Sequence, residues 1–495
     1  MSEDAEMWRQ EANKCFNTDD YKSALMLYNR AIRCNPTHSV LYLNKSITCL
    51  RTGAFYEAYE TAKNALEKGG DREKALYRMG QAAYGMREWQ KAAKHFTEVL
   101  KEFPKNNLAS EQLKRATARL PEQKTGNFNF KSMFLESKKE MAEIDVSDYV
   151  GPIEIVSIPG KGRGIIATKD IKMGTLLAVS KAFASGYSKD FPSVFIAINL
   201  IRKEMSNAAS MLQITNAMQN LQNNPQRSKE VYDLFAGDDF DQNDEIPFGV
   251  IDAARIQGIS ACNRFASDDL APDEKSELIS RGFLSGDNCH LFILPSYFNH
   301  SCLANAHRTF YGDVMAIYAN MDIKKGDEIS LSYVSPTTEF SARQKNKREK
   351  FVQEFFEYSK INNDSLQIEI AKGETFLKKI RETYDDKNEF KIRLVSMLIT
   401  LSEKYFNIGN AAKSIKYLDE VVTLTKNSPI KYAISIAHVK VNLAHCYLEL
   451  GNFENAKEMV ENAFKLSFCS NMDHFKMCFP EIAKDLPLLF WDEIL

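Results

Sequence analysis

The sequence is poor in several features that would otherwise classify it at once. Its nine cysteines, at positions 15, 34, 49, 262, 289, 302, 446, 469 and 478, include no two within four residues of each other. That excludes a CxxC knuckle of the structural-zinc type, and an odd, scattered set reads as reduced thiols of an intracellular protein. No apolar run reaches 18 residues, so no membrane span is expected. The opening "MSEDAEMWRQ" is acidic and polar, unlike a secretory signal. An excess of one charge is missing too: 64 Lys+Arg against 66 Asp+Glu leave a net −2. Such a balance gives no ground for direct binding to nucleic acid or an anionic membrane. What is present is a chain of 495 residues, 44% hydrophobic and 26% charged, long enough for about three domains with real cores. Its expected location is cytoplasmic, nuclear or both.

A period of 34 residues is the first positive signal. Ala24, Ala58 and Ala92 coincide, as do Ala31, Ala65 and Val99. Aromatics match at Tyr21, Phe55 and Trp89, small residues at Ala12, Ser46 and Gly80, and helix-ending residues at Pro36, Gly70 and Pro104. Small residues let paired helices approach closely, and the aromatic opening each second helix plugs the gap between them. This is the pattern of tetratricopeptide (TPR) repeats, three of them over about 4–105. "LAHCYLELGNFENAKEMVENAF" (443–464) repeats the aromatic–x–x–Ala spacing from Phe453 to Ala456, so 365–495 reads as a second, TPR-like helical domain. Between the arrays, 151–183 and 313–334 alternate β-branched residues with Gly and Pro, as short strands and tight turns do. The Gln/Asn/Met-rich stretch between them, with "FIAINLIRKEMSNAASMLQ", is expected as a helical insert over 184–255.

Four motifs then appear in order: "GKGRGIIA" (160–167), "CNRF" (262–265), "NHSC" (299–302) and "GDEISLSY" (326–333). On these residues the chain resembles SET-domain protein-lysine methyltransferases that carry TPR repeats, relatives of the SET-and-MYND group. The resemblance implies a multidomain α+β protein: a TPR domain at 1–120, a linker at 121–150 and a mostly-β SET domain at 151–345. A post-SET-like segment at 346–364 and the C-terminal helical domain at 365–495 would follow. It implies S-adenosylmethionine as cofactor, held by Lys161, Gly162, Arg163, Gly164, Asn263, Asn299 and His300. Glycines let backbone come close to a ligand, and each asparagine offers an acceptor and two donors for the cofactor's amino and carboxylate groups. Tyr333 would close the site as its catalytic residue, aligning the methyl group rather than acting as a strong base. The target lysine, on a histone or another protein, must first lose a proton; lowering its pKa from about 10.4 to about 7 costs roughly 4–5 kcal/mol. In the zinc-binding relatives the "NHSC" cysteine joins three later ones, but 348–364 contains none, so no metal is expected and Cys302 becomes a bystander. Phe351, Phe355 and Phe356 would wall the substrate channel by packing alone. Leu303-Ala304 and Arg264 depart from the family pattern, which keeps open a second reading: a weak or inactive SET protein serving as a TPR scaffold.

The repeats carry a constellation of their own. Arg9 and Asn13 are four apart on the first helix, Asn44 follows in repeat two, and Lys74 and Arg78 are four apart in repeat three. Residues four apart share a helix face, and stacked repeats turn the three faces into one groove. These five match the carboxylate clamp of co-chaperones that bind acidic chaperone tails ending Glu-Glu-Val-Asp. A chaperone tail is therefore the expected TPR partner. The basic run "RQKNKREK" (343–350) reads as a solvated helix face, and His290, His307, His438 and His445 as packing residues.

Overall fold

Close helix pairing at the matched small residues builds the first third of the molecule. The computed structural model describes residues 3–138, 142–187, 196–199, 204–242, 244–267, 288–301, 304–333, 366–382, 384, 391–426, 434–467, 469 and 471–485. Helices α1 (Glu3–Asn17), α2 (Tyr21–Cys34), α3 (Ser39–Thr52), α4 (Phe55–Glu67), α5 (Arg72–Gly85) and α6 (Trp89–Glu102) form three antiparallel pairs. Ala12, Ala24, Ser46, Ala58 and Ala92 are buried where the partners touch. At Gly80 a Cβ would fall 2.6 Å from the Phe96 ring, so only glycine allows that approach. Helix α7 (Asn107–Thr125) caps the array.

Of the stretch 121–150, expected as a linker, the described residues around 128–133 and 144–146 are instead packed into a core. Helix α8 (Phe130–Ser137) and Ile144 and Val146 bury apolar surface against Val179, Tyr311 and Val314 of the sheet that follows. The reason is composition: "FNFKSMF" and "IDV" carry enough apolar surface to leave water.

The central region is built of small sheets. Strands β1 (Tyr149–Val150), β4 (Leu176–Lys181), β12 (Val314–Ala319) and β11 (Ala306–Tyr311) make one, in that order. β10 (Asn299–His300), β13 (Glu328–Leu331), β3 (Gly162–Ala167) and β2 (Ile153–Ile158) make a second. A third joins β5 (Ala184–Gly186), β9 (Asn288–Leu291) and β8 (Arg264–Ser267). Ile165, Leu177, Phe292, Phe298, Ile317 and Ile329 form the core between them.

The insert is less helical than expected. Residues read as a continuous helical face contain a hairpin, β6 (Ile196–Asn199) with β7 (Glu204–Asn207), before helix α9 (Ala208–Asn223) begins. Isoleucines at 196 and 198 suit a strand, and a run this short fits both periods. Asn207 then stops the strand and caps the helix, its Oδ1 accepting the Ser210 N–H at 2.9 Å. Helices α10 (Ser228–Tyr232) and α11 (Ala253–Asn263) complete the insert. Beyond it, helical hairpins such as Ile434–Glu449 with Phe453–Ser467 form the C-terminal array. No helix among the described residues is long and apolar enough to cross a membrane.

Candidate functional site

Three of the four motifs meet through the second sheet. β10 runs parallel to β13, pairing Asn299 with Ser330 and His300 with Leu331, and β13 pairs antiparallel with β3. The "NHSC", "GDEISLSY" and "GKGRGIIA" segments are thus neighbours although 137 residues separate Gly162 from Asn299 (299 − 162). Asn305 stitches the arrangement, donating from Nδ2 to the Glu328 carbonyl at 2.8 Å while its Oδ1 accepts the Ser330 N–H at 2.9 Å. No role for Asn305 or Glu328 was visible in the motif pattern.

Gly164 shows why glycine stands there. A Cβ would lie 2.4 Å from Ile158 Cδ1 and 2.6 Å from Asn299 Nδ2. The β3 backbone therefore packs directly on the Asn299 amide. That amide donates to Glu328 Oε1 at 2.9 Å, and Lys161 Nζ reaches Glu328 Oε2 at 2.6 Å. Burial pushes the Glu328 carboxyl up, but Lys161 and Asn299 hold it below the usual carboxylate range. Gly162 has φ +77°, a left-handed turn conformation that favours glycine. Arg163 turns its guanidinium elsewhere, over the Tyr297 ring at 5.0 Å and onto the Asp233 carbonyl. Its side chain does not line the cavity at Tyr333; only its backbone belongs to the glycine turn.

The fourth motif reaches the site through a cavity of about 240 Å³. Cys262, Asn263, Arg264, Phe265, Ser296, Arg308 and Tyr333 line it. Asn263 ends α11, and its Nδ2 donates to the carbonyls of Phe235 (2.7 Å) and Ile259 (2.8 Å). Both amide protons are thus engaged, which corrects the expectation of a double donor to a ligand. Arg264 lines the same space and donates to Ser210 Oγ at 3.1 Å.

Tyr333 sits at the mouth, 49% exposed. Its hydroxyl donates to the Phe298 carbonyl at 2.6 Å, and its N–H donates to His300 Nδ1 at 3.1 Å, with the two rings 5.3 Å apart. Burial pushes the phenol above its ordinary value while Arg308 pulls it back. A neutral tyrosine with its proton on a carbonyl offers lone pairs, not a base. Arg308 was not anticipated. It is a largely buried cation, held by the Ser332 carbonyl, and burial pushes its guanidinium below the ordinary value. Nothing in the sequence around "AHRTFY" marks it. Cys302, Leu303, Phe351, Phe355 and Phe356 lie outside the described residues.

In the repeats, the expected clamp residues surround one side chain that the spacing did not reveal, Tyr28. Asn13 Oδ1 accepts from Tyr28 Oη at 2.7 Å and from Asn44 Nδ2 at 3.2 Å. Burial raises the Tyr28 phenol, opposed by Asn44, Arg9 and Arg78, so these three stand around it together with Asn13. Arg9 is held by Glu6 through two contacts of 2.9 and 2.5 Å. Arg78 donates to the Leu43 carbonyl, and burial pushes its guanidinium down. Lys74, one turn earlier, is exposed and paired with Asp71 at 3.0 Å.

Comparison with known proteins agrees with this architecture. Residues 162–334 match the SET domain family, and residues 73–106 and 437–468 match tetratricopeptide repeat families. A Gibberella zeae protein named "Methyltransferase" is 26% identical over 450 residues, 83% of this chain and 61% of that relative. The chain therefore spans less than two thirds of that relative's length. A Plasmodium falciparum "Hsp70-Hsp90 organising protein" is 34% identical over 113 residues, 23% of this chain and 45% of that protein. Among solved structures, "First TPR of Spaghetti (RPAP3) bound to HSP90 peptide SRMEEVD" is 25% identical over 24% of this chain and 95% of its own. Its TM-score is 0.24. The chain joins tetratricopeptide repeats to a SET domain, with a TPR-like helical region at its C-terminal end.

Proposed function

We propose that this chain is an S-adenosylmethionine-dependent protein-lysine N-methyltransferase whose N-terminal repeats recruit a partner with an acidic C-terminal tail, such as a heat-shock chaperone. One observation carries the first part: three motifs far apart in sequence share one sheet, and the fourth faces Tyr333, at the end of one of them, across a single cavity. The residues fit the cofactor on structural grounds. The turn at Gly162, with φ +77° and nothing within 4 Å of where a Cβ would stand, leaves its backbone open to a ligand, and the cavity wall combines the Asn263 side chain with two guanidinium groups, Arg264 and Arg308, suited to a carboxylate. Gly162, Gly164, Asn299 and His300 would hold the cofactor on the sheet side, and Asn263 on the helix side. When bound, S-adenosylmethionine supplies an electrophilic methyl group.

The chain's own residues do the rest. Tyr333 keeps its proton on the Phe298 carbonyl and presents its oxygen lone pairs to the cavity mouth. Arg308 is a fixed positive charge at the cavity, which disfavours an ammonium there and so helps an incoming lysine shed its proton to solvent. His300 holds Tyr333 by its backbone. The test is incubation with labelled S-adenosylmethionine and a panel of lysine-rich proteins. Labelling by the natural chain and a fall of about a hundredfold in Tyr333→Phe are expected; equal labelling by both removes Tyr333 from its role.

The partner reading rests on Arg9, Asn13, Asn44 and Arg78 meeting around Tyr28, with Lys74 one turn away. A buried guanidinium such as Arg78 gains from an incoming carboxylate. A fluorescent peptide ending Glu-Glu-Val-Asp should bind, and Arg78→Ala should abolish binding. Unchanged binding by that variant would remove the groove as the site. The relative named as an Hsp70-Hsp90 organising protein, aligned over 113 residues, supports the choice of tail.

A further inference from the structure

Outside the SET cavity, a second cluster of metal-ligating side chains is assembled near the C-terminal end. Cys469, His474 and Cys478 bring two sulfurs and a ring nitrogen within 4.8 Å of one another. The local structure explains how. Helix Met472–Cys478 puts His474 and Cys478 one turn apart on the same face. Asn471 caps that helix, its Oδ1 accepting the His474 N–H at 2.8 Å, and so turns the preceding chain back. Cys469 is held in the returned position by its N–H, which donates to Ser467 Oγ at 3.4 Å. His474 is only 3% exposed, enclosed by the rings of Phe134 (6.1 Å) and Tyr311 (6.2 Å).

Two thiolates at 2.3 Å and an imidazole nitrogen at about 2.0 Å from a tetrahedral zinc stand roughly 3.5–3.8 Å from one another. The observed ligand atoms all lie within 4.8 Å of one another, so closing onto a metal asks for shifts of only about 1 Å. We propose that Cys469, His474 and Cys478 form a three-ligand site for a soft divalent metal, zinc first, with the fourth position left to solvent or to a phenol of the neighbouring sheet. Thiolate and imidazole donors select zinc over magnesium or calcium. Each thiol releases its proton to water as the metal binds, so two protons leave for one dication.

The position gives the site a task. Its helix lies against α8 and the first sheet, where Lys131 also pairs with Asp473 at 2.9 Å. A bound metal would fix the returning Cys469 segment and the helix as one block, clamping the C-terminal array onto the SET core. The inference is independent of the methyl-transfer reading, because the cluster shares no residue with the cavity at Tyr333.

The experiment uses the full chain, expressed with zinc and analysed for metal after buffer exchange. About one zinc per chain is expected in the natural protein and in Cys302→Ser, and nearly none in the double variant Cys469→Ser/Cys478→Ser. Because that double variant can fail to fold, the apo chain is also titrated with cobalt. A thiolate-to-cobalt charge-transfer band should appear, and His474→Cys, which keeps three ligands, should strengthen it. Three results would overturn the proposal: no stoichiometric metal, metal lost on changing Cys302 but kept in the double variant, or a Cys469–Cys478 disulfide by peptide mapping. A cobalt spectrum insensitive to His474→Cys would do the same.

Discussion

Arg308 and Glu6 show how single charges set the behaviour of the two sites. Arg308 lies at the cavity with Tyr333, and its field lowers the proton affinity of any amine that enters. In the methyltransferase reading, the ascending limb of kcat against pH reports deprotonation of the bound lysine. Arg308→Met should move that limb to higher pH by about one unit, whereas Arg308→Lys should leave it nearly in place. Superimposable profiles for Met and the natural residue would show that the charge does not reach the lysine. In the TPR groove, Glu6 already occupies Arg9. A ligand carboxylate must displace it, so Glu6→Gln should tighten binding of an acidic peptide roughly threefold. Fluorescence polarisation at low salt would read the gain, and a loss instead would mean that Glu6 orients Arg9 productively.

At the scale of elements, the question is how the repeats are attached. Residues 145–148 lie along the edge of the third repeat: Trp89 Nε1 donates to Ser147 Oγ at 2.8 Å, Arg87 reaches Asp148 and the Val146 carbonyl, and Tyr84 and Arg115 reach Asp145. The second repeat is attached separately. Asn224, after α9, donates to the Gly53 carbonyl at 2.9 Å and accepts the Phe55 N–H at 3.0 Å. Trp89 is 3% exposed, so Trp89→Ala should cost about 3–5 kcal/mol and open the seam to proteolysis near 126–147. Trp89→Phe, losing mainly the hydrogen bond, should cost about 1 kcal/mol. Urea denaturation and limited proteolysis would distinguish the two; equal effects would place the role of Trp89 in the hydrogen bond alone. Trp89 also shows what the sequence disclosed. Its 34-residue spacing from Phe55 announced the repeat, because repeats are local and periodic. Its bond to Ser147 was not legible, since that depends on a tertiary neighbour with no pattern of its own. The same limit explains residues 196–199 and 204–207, where pairing rather than period decided for strands. It also explains Arg308 and Tyr28, single residues outside any motif. The motif segments that the second sheet brings together were legible because four motifs fell in order, while the direction of the Arg163 side chain and the engaged Asn263 amide were not.

Across the molecule, the third sheet holds the insert to the SET core, and a histidine at its centre gives that junction a pH dependence. His290 of β9 is fully buried, its Nδ1 2.8 Å from Ser185 Oγ of β5, with the rings of Tyr187, Phe292 and Phe310 around it. Burial pushes its imidazole down to about 4 from an ordinary 6.5. The folded state therefore holds it neutral, while the unfolded chain takes up a proton below about pH 6.5. Its contribution to stability is complete above that pH and declines as the solution is acidified toward pH 4. At 1.36 kcal/mol per unit, the loss should reach about 2 kcal/mol by pH 5. His290→Asn, which keeps a polar group for Ser185 but does not titrate, should be less stable than the natural chain at pH 7 and should lose less on going to pH 5. Denaturant midpoints at the two pH values measure the difference. If both proteins lose the same stability, the acid sensitivity comes from other groups, and His290 is not what ties the insert junction to pH.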